Sequence, residues 1–378
     1  MDKRIYLCLA HMSGKEQAFI EEAFETNWVV PLGPNVNAFE ENLEDFIGEN
    51  KHVVALSAGT AAIHLGLVQL GVQAGDEVIC QSFTFCASAN PVTYLGATPV
   101  FVDSEADTWN ISPLLLETAI KDRIEKTGRK PKVIIPVHLY GMPAKMDEIC
   151  AIAGKYGIPV LEDAAEALGS EYKGRKCGAF GHFGALSFNG NKMITTSGGG
   201  ALVVPDAEAK RETMFYATQA CEPFPYYQHE QIGYNYRMSN ICAGIGRGQM
   251  TVLDAHIAHH RHVHELYEQA FAGVEGITLK GNPDSRFNAN FWLCTILIDK
   301  DRAGFDYEKL RRKLDESGIE TRPLWKPMHL QPVYRNNPCY VDGTSEYLFN
   351  HGLCLPAGPC VTDGDVNYIV SEILNFCK

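Results

Sequence analysis

The 378-residue sequence lacks the features that would place it in a membrane, in an oxidising compartment or on nucleic acid. No apolar run approaches the roughly 20 residues that a membrane-spanning helix needs, and the apolar stretch near the N-terminus is too short for a signal peptide. The twelve cysteines form no C-x-x-C pair, which favours small buried thiols in a reducing cytoplasm. A formal net charge of −13 argues against a broad nucleic-acid surface. We therefore expect a cytoplasmic protein that binds neither membranes nor nucleic acid.

Repeats and low-complexity segments are also lacking, and the chain is long enough for two domains. Between residues 50 and 205, short apolar segments alternate with amphipathic ones. This alternation predicts an α/β fold with a mostly parallel sheet covered by helices on both faces. After residue 250 the pattern changes to a long polar helix followed by scattered short strands. We therefore predict a large domain over residues 1–250 and a smaller C-terminal α+β domain over residues 251–378.

The most informative segment, residues 187–200, carries a single lysine, Lys192, among small polar residues and glycines. An apolar stretch follows, so the amine lies on a tight loop where, partly desolvated, it can attack a carbonyl carbon near neutral pH. Upstream, Asp163 comes after the apolar residues 158–161 and is predicted at the end of a buried strand. A lysine and a buried carboxylate are the pair that pyridoxal 5'-phosphate (PLP) needs. The lysine bonds to the cofactor, and the carboxylate holds the proton on the ring nitrogen of the cofactor.

Three further positions suit a flat, phosphorylated cofactor, and each has a plainer structural alternative. Gly59 and Thr60 open a helix whose free N–H groups and hydroxyl suit a phosphate, or they belong to an ordinary N-cap. Phe85 follows a strand and is predicted to stack on the ring, unless it is a core aromatic. Glu166, close after Asp163, is predicted to contact the hydroxyl edge of the ring or to cap a turn. Because ligands bind beyond the carboxyl ends of parallel strands, we expect these residues to meet at one edge of the sheet.

Two later loops combine aromatic and polar side chains. Residues 233–240 alternate aromatics with Asn and Arg, which favours an anchor for an anion as much as a hairpin with packed tyrosines. Residues 321–329 contain Trp325, Lys326 and His329. They are predicted to form a wall for a charged or sugar-bearing substrate, with an ordinary loop as the alternative.

Five histidines are concentrated between residues 256 and 264. His256, His260 and His264 recur every four residues and therefore share one face of a helix. We interpret this as a solvated helix face. Adventitious binding of a divalent metal is the alternative, but no carboxylate or cysteine completes an obvious site, so no metal centre is predicted.

Taken together, these segments resemble the DegT/StrS family of PLP-dependent nucleotide-sugar aminotransferases. The resemblance covers nearly the whole chain and is carried by residues 31–40, 57–65, 75–79, 137–141, 162–169, 187–200 and 354–356. It implies an aspartate-aminotransferase-like fold, known as fold type I. It also implies a homodimer whose active sites form at the subunit interface.

The resemblance further implies a role for each residue of the cofactor site. Lys192 is the lysine that bonds to PLP, and Asp163 is the partner of its pyridine nitrogen. Ser187 and Thr60, with the backbone of Gly59, hold the phosphate.

Other positions complete the implied site around the ring. Phe85 lies over the ring, and either Asn235 or Arg237 reaches the cofactor phosphate of the neighbouring subunit. Many relatives have Gln or His at the position of Glu166, but a glutamate occurs in enzymes that make 4-amino sugars.

The resemblance also indicates which reaction the enzyme catalyses and on which sugar. Relatives that act as sugar 3-dehydratases have a histidine in place of the lysine, so Lys192 indicates transamination. Residues 189–200 and 320–329 are most similar to the UDP-N-acetylbacillosamine branch. That branch transfers an amino group from L-glutamate to C4 of UDP-2-acetamido-2,6-dideoxy-hexos-4-ulose.

Three alternatives are weighed against this activity. An enzyme like GDP-perosamine synthase is the nearest. A non-catalytic nucleotide-sugar sensor is disfavoured by the intact set of Lys192, Asp163 and Ser187. An NAD-dependent sugar enzyme is disfavoured because no G-x-G-x-x-G follows the first strand.

Overall fold

The structure is a computed structural model that describes residues 4–377. Helices and strands alternate along these residues. The helices are α1 (Glu16–Glu25), α2 (Pro34–Ile47), α3 (Gly59–Gln69), α4 (Asn90–Tyr94), α5 (Pro113–Thr127), α6 (Met146–Tyr156), α7 (Ala207–Ala217), α8 (Asn240–Met250), α9 (Leu253–Phe271), α10 (Lys300–Ala303), α11 (Tyr307–Glu316), α12 (Thr344–His351) and α13 (Asp363–Phe376). The strands are β1 (His52–Leu56), β2 (Glu77–Gln81), β3 (Thr98–Val102), β4 (Val133–Ile135), β5 (Leu161–Asp163), β6 (Glu171–Tyr172), β7 (Arg175–Lys176), β8 (Phe183–Ser187), β9 (Gly200–Val204), β10 (Ile277–Leu279), β11 (Phe287–Asn288), β12 (Cys294–Ile298), β13 (Arg322–Pro323), β14 (Cys339–Tyr340) and β15 (Gly352–Leu355). Of the helices within these residues, none is long and apolar enough to cross a membrane.

The central sheet has the strand order β14-β3-β2-β4 and continues through two parallel bridges between β4 and β5 into β5-β8-β9-β1. Its pairs are parallel except for β8–β9 and β9–β1, so the prediction of a mostly parallel sheet is confirmed. Because β9 runs opposite to its neighbours, the carboxyl ends of β1, β2, β5 and β8 lie at the same edge as the start of β9.

Each face of this sheet is covered by helices. Successive side chains of a strand point to opposite faces, and β2 shows the consequence. Val78 and Cys80 pack with the residues of α3, whereas Ile79 packs with those of α5 and α6. The strands are apolar on both faces for this reason, as is typical of parallel sheets.

A second sheet, β10-β12-β15-β13, is antiparallel throughout and packs with α9, α11 and α13. Its core includes Tyr267, Leu310 and Ile369. Ile5 also belongs to this core, and its N–H donates to the Gly318 carbonyl at 2.9 Å. The N-terminal segment therefore packs with the C-terminal region, and the division into residues 1–250 and 251–378 stays a prediction.

The histidine face of α9 is buried, so its interpretation as a solvated face is wrong. His256, His260 and His264 are 5%, 0% and 4% exposed. Their ring nitrogens contact backbone carbonyl oxygens of Met193, Phe291 and Lys280, which satisfies part of the hydrogen-bonding capacity of the rings. Within residues 4–377, no group of three or more His, Cys, Asp or Glu side chains could hold a metal ion.

The twelve cysteines are free thiols, and several of them are core residues. The buried ones are Cys8, Cys80, Cys177, Cys294 and Cys354. Cys339 and Cys360 are exposed, so the prediction of buried thiols holds for only part of the set.

Candidate active site

A cavity of about 400 Å³ lies at the carboxyl edge of the central sheet. Its volume is within the range of about 300–1,000 Å³ that is usual for small-molecule sites. Most of the residues predicted from the sequence line it, namely Gly59, Thr60, Phe85, Asp163, Glu166, Ser187, Lys192 and Trp325. All of them except Trp325, which follows β13, come from the ends of β1, β2, β5 and β8 and from the loops that follow, as expected for a parallel sheet.

Lys192 lies on the loop between β8 and β9, with its amine between two side chains. Its Nζ is 3.3 Å from Glu166 Oε1 and 3.9 Å from the centre of the Trp292 ring. The Trp292 indole N–H donates to the Asn191 carbonyl at 2.6 Å, which fixes the loop beside the amine. The amine therefore lies between a carboxyl group and the negative face of an aromatic ring.

Glu166 is a buried carboxyl group whose second oxygen accepts the Tyr140 N–H at 2.7 Å. Burial is the strongest influence and raises its pKa, while the Lys192 ammonium and the Tyr140 N–H act in the opposite direction. The carboxyl group is therefore able to hold a proton beside the Lys192 amine more readily than an exposed glutamate would.

Asp163 ends β5 and is 5% exposed. Backbone bonds on both sides fix its position, because its N–H donates to Pro136 and its carbonyl accepts from His138. Its carboxylate accepts the Ser88 hydroxyl at 2.6 Å on Oδ2 and the Ala165 N–H at 3.1 Å on Oδ1. The carboxylate is thus held in one orientation at the cavity wall.

The start of α3 presents free backbone N–H groups to the cavity. No side chain of residues 4–377 caps the helix, so the ordinary N-cap alternative is not what the structure shows. The first turn of a helix carries unpaired N–H groups and partial positive charge, both of which suit an anion. A Cβ on Gly59 would lie 3.1 Å from the Ser187 Cβ, so glycine brings the helix start close to the Ser187 hydroxyl.

Aromatic side chains form the outer wall. Phe85 is 51% exposed, so it is not the core aromatic of the alternative interpretation. Its ring centre lies 5.4 Å from that of Trp325. Trp325 in turn lies nearly parallel to the ring of Tyr140, with 6.2 Å between centres, and its backbone N–H donates to the Tyr140 hydroxyl.

The remaining predicted residues lie away from this cavity. Arg237 is buried, and its guanidinium donates to the Glu40 carboxylate and the Ala55 carbonyl of its own chain. It is therefore not free to reach a neighbouring subunit, which leaves the exposed Asn235 as the candidate for that role.

The loop over residues 321–329 is only partly a cavity wall. Lys326 lines a second cavity of about 480 Å³, which shares Asn191, Trp292 and Trp325 with the first. The two ring nitrogens of His329 contact Ser82 Oγ at 2.7 Å and Glu346 Oε1 at 3.2 Å. Both ring nitrogens are therefore engaged within the chain, where they hold the loop in place, and the assignment of His329 to the substrate wall stays a prediction.

The groups around the first cavity fit PLP by their chemistry. The start of α3 and the Ser187 hydroxyl suit a phosphate dianion. The Asp163 carboxylate suits a protonated ring nitrogen, and the Lys192 amine suits an aldehyde. A model of the DegT/DnrJ/EryC1/StrS aminotransferase family matches residues 11–374.

The chain belongs to the DegT/DnrJ/EryC1/StrS aminotransferase family.

Relatives and solved structures of the family are similar over nearly the full length. EpsN of Bacillus subtilis, assigned as a PLP-dependent aminotransferase, is 47% identical, with 100% of this chain and 96% of EpsN covered. GDP-perosamine synthase of Caulobacter vibrioides is 35% identical, with 98% of this chain and 97% of that enzyme covered. Spr1654 of Streptococcus pneumoniae, assigned as a sugar aminotransferase, has been solved in its PMP form. It is 26% identical with a TM-score of 0.90, covering 99% of this chain and 98% of that one.

Several predictions from the sequence are confirmed by this membership. The protein is a PLP-dependent sugar aminotransferase of the DegT/DnrJ/EryC1/StrS family. Its fold is that of the type I PLP-dependent enzymes.

Trp292 and Ser88 were missed by the sequence analysis. Trp292 lies just before β12, 101 residues from the Asn191 carbonyl that it contacts. Ser88 lies 75 residues before Asp163. Nothing in the local sequence indicated either contact, because both depend on how the strands are ordered in the sheets.

Proposed function

We propose that this enzyme transfers the amino group of L-glutamate to C4 of a nucleotide-linked 4-keto-6-deoxy sugar, with UDP-2-acetamido-2,6-dideoxy-hexos-4-ulose as the substrate. One observation carries the proposal. The Lys192 amine, the Asp163 carboxylate and the uncapped start of α3 all line the same cavity. The choice of sugar is supported by the resemblance of residues 189–200 and 320–329 to the UDP-N-acetylbacillosamine branch. The product would enter bacterial glycan synthesis.

Bound PLP supplies an electron sink that allows an amino group to be exchanged with a keto group. Lys192 is the proposed attachment residue and, once released, the general base and acid that moves the substrate proton. Asp163 holds the proton of the ring nitrogen. Gly59, Thr60 and Ser187 bind the phosphate.

Glu166 is proposed to take part in activating the lysine. Only a neutral amine is a nucleophile, so Lys192 must give up a proton before it reacts. Glu166 Oε1 lies 3.3 Å away and belongs to a carboxyl group whose pKa burial has raised. Transfer of the proton from Nζ to this oxygen leaves a neutral amine and a neutral acid, so the step creates no unpaired charge in the buried site.

The substrate is proposed to lie between Phe85, Trp325 and the second cavity. Trp325 Nε1 is buried, and among the described residues it has no hydrogen-bond partner, so it is a free donor for a sugar or phosphate oxygen. Lys326 is exposed beside it and suits the charge of a diphosphate.

The enzyme is proposed to act as a cytoplasmic homodimer with active sites at the subunit interface. The half-exposed Phe85 and the exposed Asn235 fit a site that a second subunit covers. Apolar side chains such as Trp28 and Ile232 are exposed on residues 24–32 and 224–232, and patches of this kind mark protein–protein contacts.

A panel of 4-keto sugar nucleotides tests the proposal. The PLP-loaded enzyme is incubated with glutamate and either UDP- or GDP-linked substrates, and the products are analysed by mass spectrometry and NMR. We expect an amine at C4 and a higher kcat/KM for the UDP-linked 2-acetamido sugar.

Preference for the GDP-linked sugar would favour the alternative activity, which the 35% identity to a GDP-perosamine synthase makes the nearest one. Binding without conversion of any member would instead support a non-catalytic sensor.

A further inference from the structure

A buried chain of hydroxyl groups ends on the Asp163 carboxylate. Ser88 lies in the short 3-10 segment Cys86–Ser88 after β2, and its Oγ is 2.6 Å from Asp163 Oδ2. Thr84 Oγ1 is 2.7 Å from the same Ser88 oxygen. Ser88 and Thr84 are 0% and 1% exposed, so both bonds are buried, and Thr84 is also part of the cavity wall.

The direction of these hydrogen bonds follows from counting hydrogens. An ionised carboxylate only accepts, so Ser88 must donate its single hydroxyl hydrogen to Asp163. Ser88 then has only lone pairs left, and Thr84 must donate to it. The Ala165 N–H occupies the other carboxylate oxygen. The chain therefore runs one way, from Thr84 through Ser88 to Asp163.

This chain of hydrogen bonds has two effects on the Asp163 carboxylate. A hydrogen bond to an ionised group is short and strong, and here it stabilises negative charge on Oδ2. With one donor on each oxygen, the carboxylate also cannot rotate without breaking a buried bond. Asp163 lines the cavity, so this fixed charge faces whatever ring occupies it.

We propose that Ser88, supported by Thr84, is a positioning residue that holds the Asp163 carboxylate in the orientation that keeps the ring nitrogen of bound PLP protonated. The proposal rests on the role that the proposed function gives to Asp163. It assigns no direct contact between Ser88 and the cofactor.

The test compares Ser88→Ala with a matched control, Ser104→Ala. Ser104 is equally buried, and among the described residues its hydroxyl has no hydrogen-bond partner. Two quantities are measured: the dissociation constant of PLP by equilibrium dialysis, and the 15N NMR shift of the ring nitrogen in labelled PLP. We expect Ser88→Ala to weaken PLP binding about tenfold, the effect of one lost charge-assisted bond. We also expect it to move the 15N signal towards the unprotonated value, while Ser104→Ala changes neither.

Variants of Thr84 provide a second test if Ser88→Ala does not fold. Thr84→Val removes the hydroxyl at nearly constant volume and is expected to shift both quantities in the same direction by less. Thr84→Ser keeps the hydroxyl and should restore them. The inference is overturned if the Ser88 and Thr84 variants match the control in both measurements.

Asp163→Asn separates this outcome from a failure of the proposed function. If Asp163→Asn shifts the 15N signal and Ser88→Ala does not, only the inference about Ser88 fails. If Asp163→Asn itself leaves the signal unchanged, the role proposed for Asp163 is wrong.

Discussion

Two buried glutamates show how the number of hydrogen-bond donors around a carboxyl group determines whether its pKa is raised or lowered. Glu16 accepts hydrogen bonds from the Ser13 and Gly14 N–H groups and from the Gln249 side chain. Burial alone would raise its pKa, but these bonds together outweigh burial and lower the pKa to about 2. Glu166 has fewer donors, and burial raises its pKa. The first carboxylate is therefore structural, and the second is suited to exchange a proton.

The lowered pKa of Glu16 predicts a pH-dependent stability. The folded protein binds this proton less tightly than the unfolded chain does, so the stabilisation is present above about pH 4.5 and is lost as the pH falls towards 2. A shift of this size corresponds to about 3 kcal/mol at neutral pH. Urea unfolding of the PLP-free Glu16→Gln variant should show a loss of this order at pH 7 and a smaller one, about 1.4 kcal/mol, near pH 3.

Glu41→Gln, a change at an exposed position of α2, is the control for charge alone. A Glu16→Gln variant whose stability follows that of Glu41→Gln at every pH would contradict the structural role of this carboxylate.

At the scale of elements, the start of β9 passes directly over the start of α3. A Cβ on Gly200 would lie 2.3 Å from the Gly59 nitrogen and 2.5 Å from the Ala58 carbonyl carbon. Only glycine allows this approach, because both neighbours are backbone atoms that cannot turn away. The strand therefore sets the position of the N–H groups proposed to bind the cofactor phosphate.

Replacement of Gly200 by alanine is expected to push the start of α3 out of place. We predict a loss of about 1–3 kcal/mol in the free energy of unfolding, as for other overpacked sites, and PLP binding weakened at least about tenfold. Both are measurable by urea unfolding and by fluorescence titration with PLP.

Gly154→Ala is the matched control, because a Cβ there, in the last turn of α6, meets no atom of the described residues within 4 Å. It should be neutral or slightly stabilising. Unchanged PLP affinity in Gly200→Ala would show that this contact does not position the phosphate site.

Elements also show what the sequence could and could not predict. Gly59, Asp163 and Lys192 were predicted because each lies near the end of a strand whose apolar pattern is local, whereas Ser187 was implied by the family resemblance. The α9 face was misread, because histidine was counted as a polar surface residue although His260 is fully buried. Likewise, the ion pair of Arg237 with Glu40 joins residues 197 positions apart, and no local pattern reveals it.

At the scale of the whole molecule, exposed apolar side chains are concentrated on residues 24–32 and 224–232. Tyr227 and Ile232 are 90% and 83% exposed. The first segment is held to the start of α8, since the Asn240 side chain donates to the Trp28 carbonyl at 3.0 Å. Residues 224–232 precede the same helix in the chain. These surfaces are the proposed subunit interface.

A charge within this surface is expected to prevent dimer formation. Ile232→Asp should be monomeric in sedimentation velocity and should lose most of its activity, because the proposed active sites require both subunits. Leu114→Asp places the same charge on α5 at a position that is 77% exposed, and it should remain dimeric and active. A dimeric Ile232→Asp, or a monomeric and fully active one, would contradict the proposed interface.

The two half-reactions test the account of the whole enzyme most directly. The visible absorption of the PLP-loaded protein is followed while glutamate is added alone and the 4-keto UDP-sugar is added afterwards. We predict that glutamate bleaches the band with release of one equivalent of 2-oxoglutarate per site, and that the sugar restores it with one equivalent of 4-amino product. Lys192→Ala should show no turnover. A band unaffected by glutamate, or a Lys192→Ala variant that turns over at the parent rate, would contradict the account.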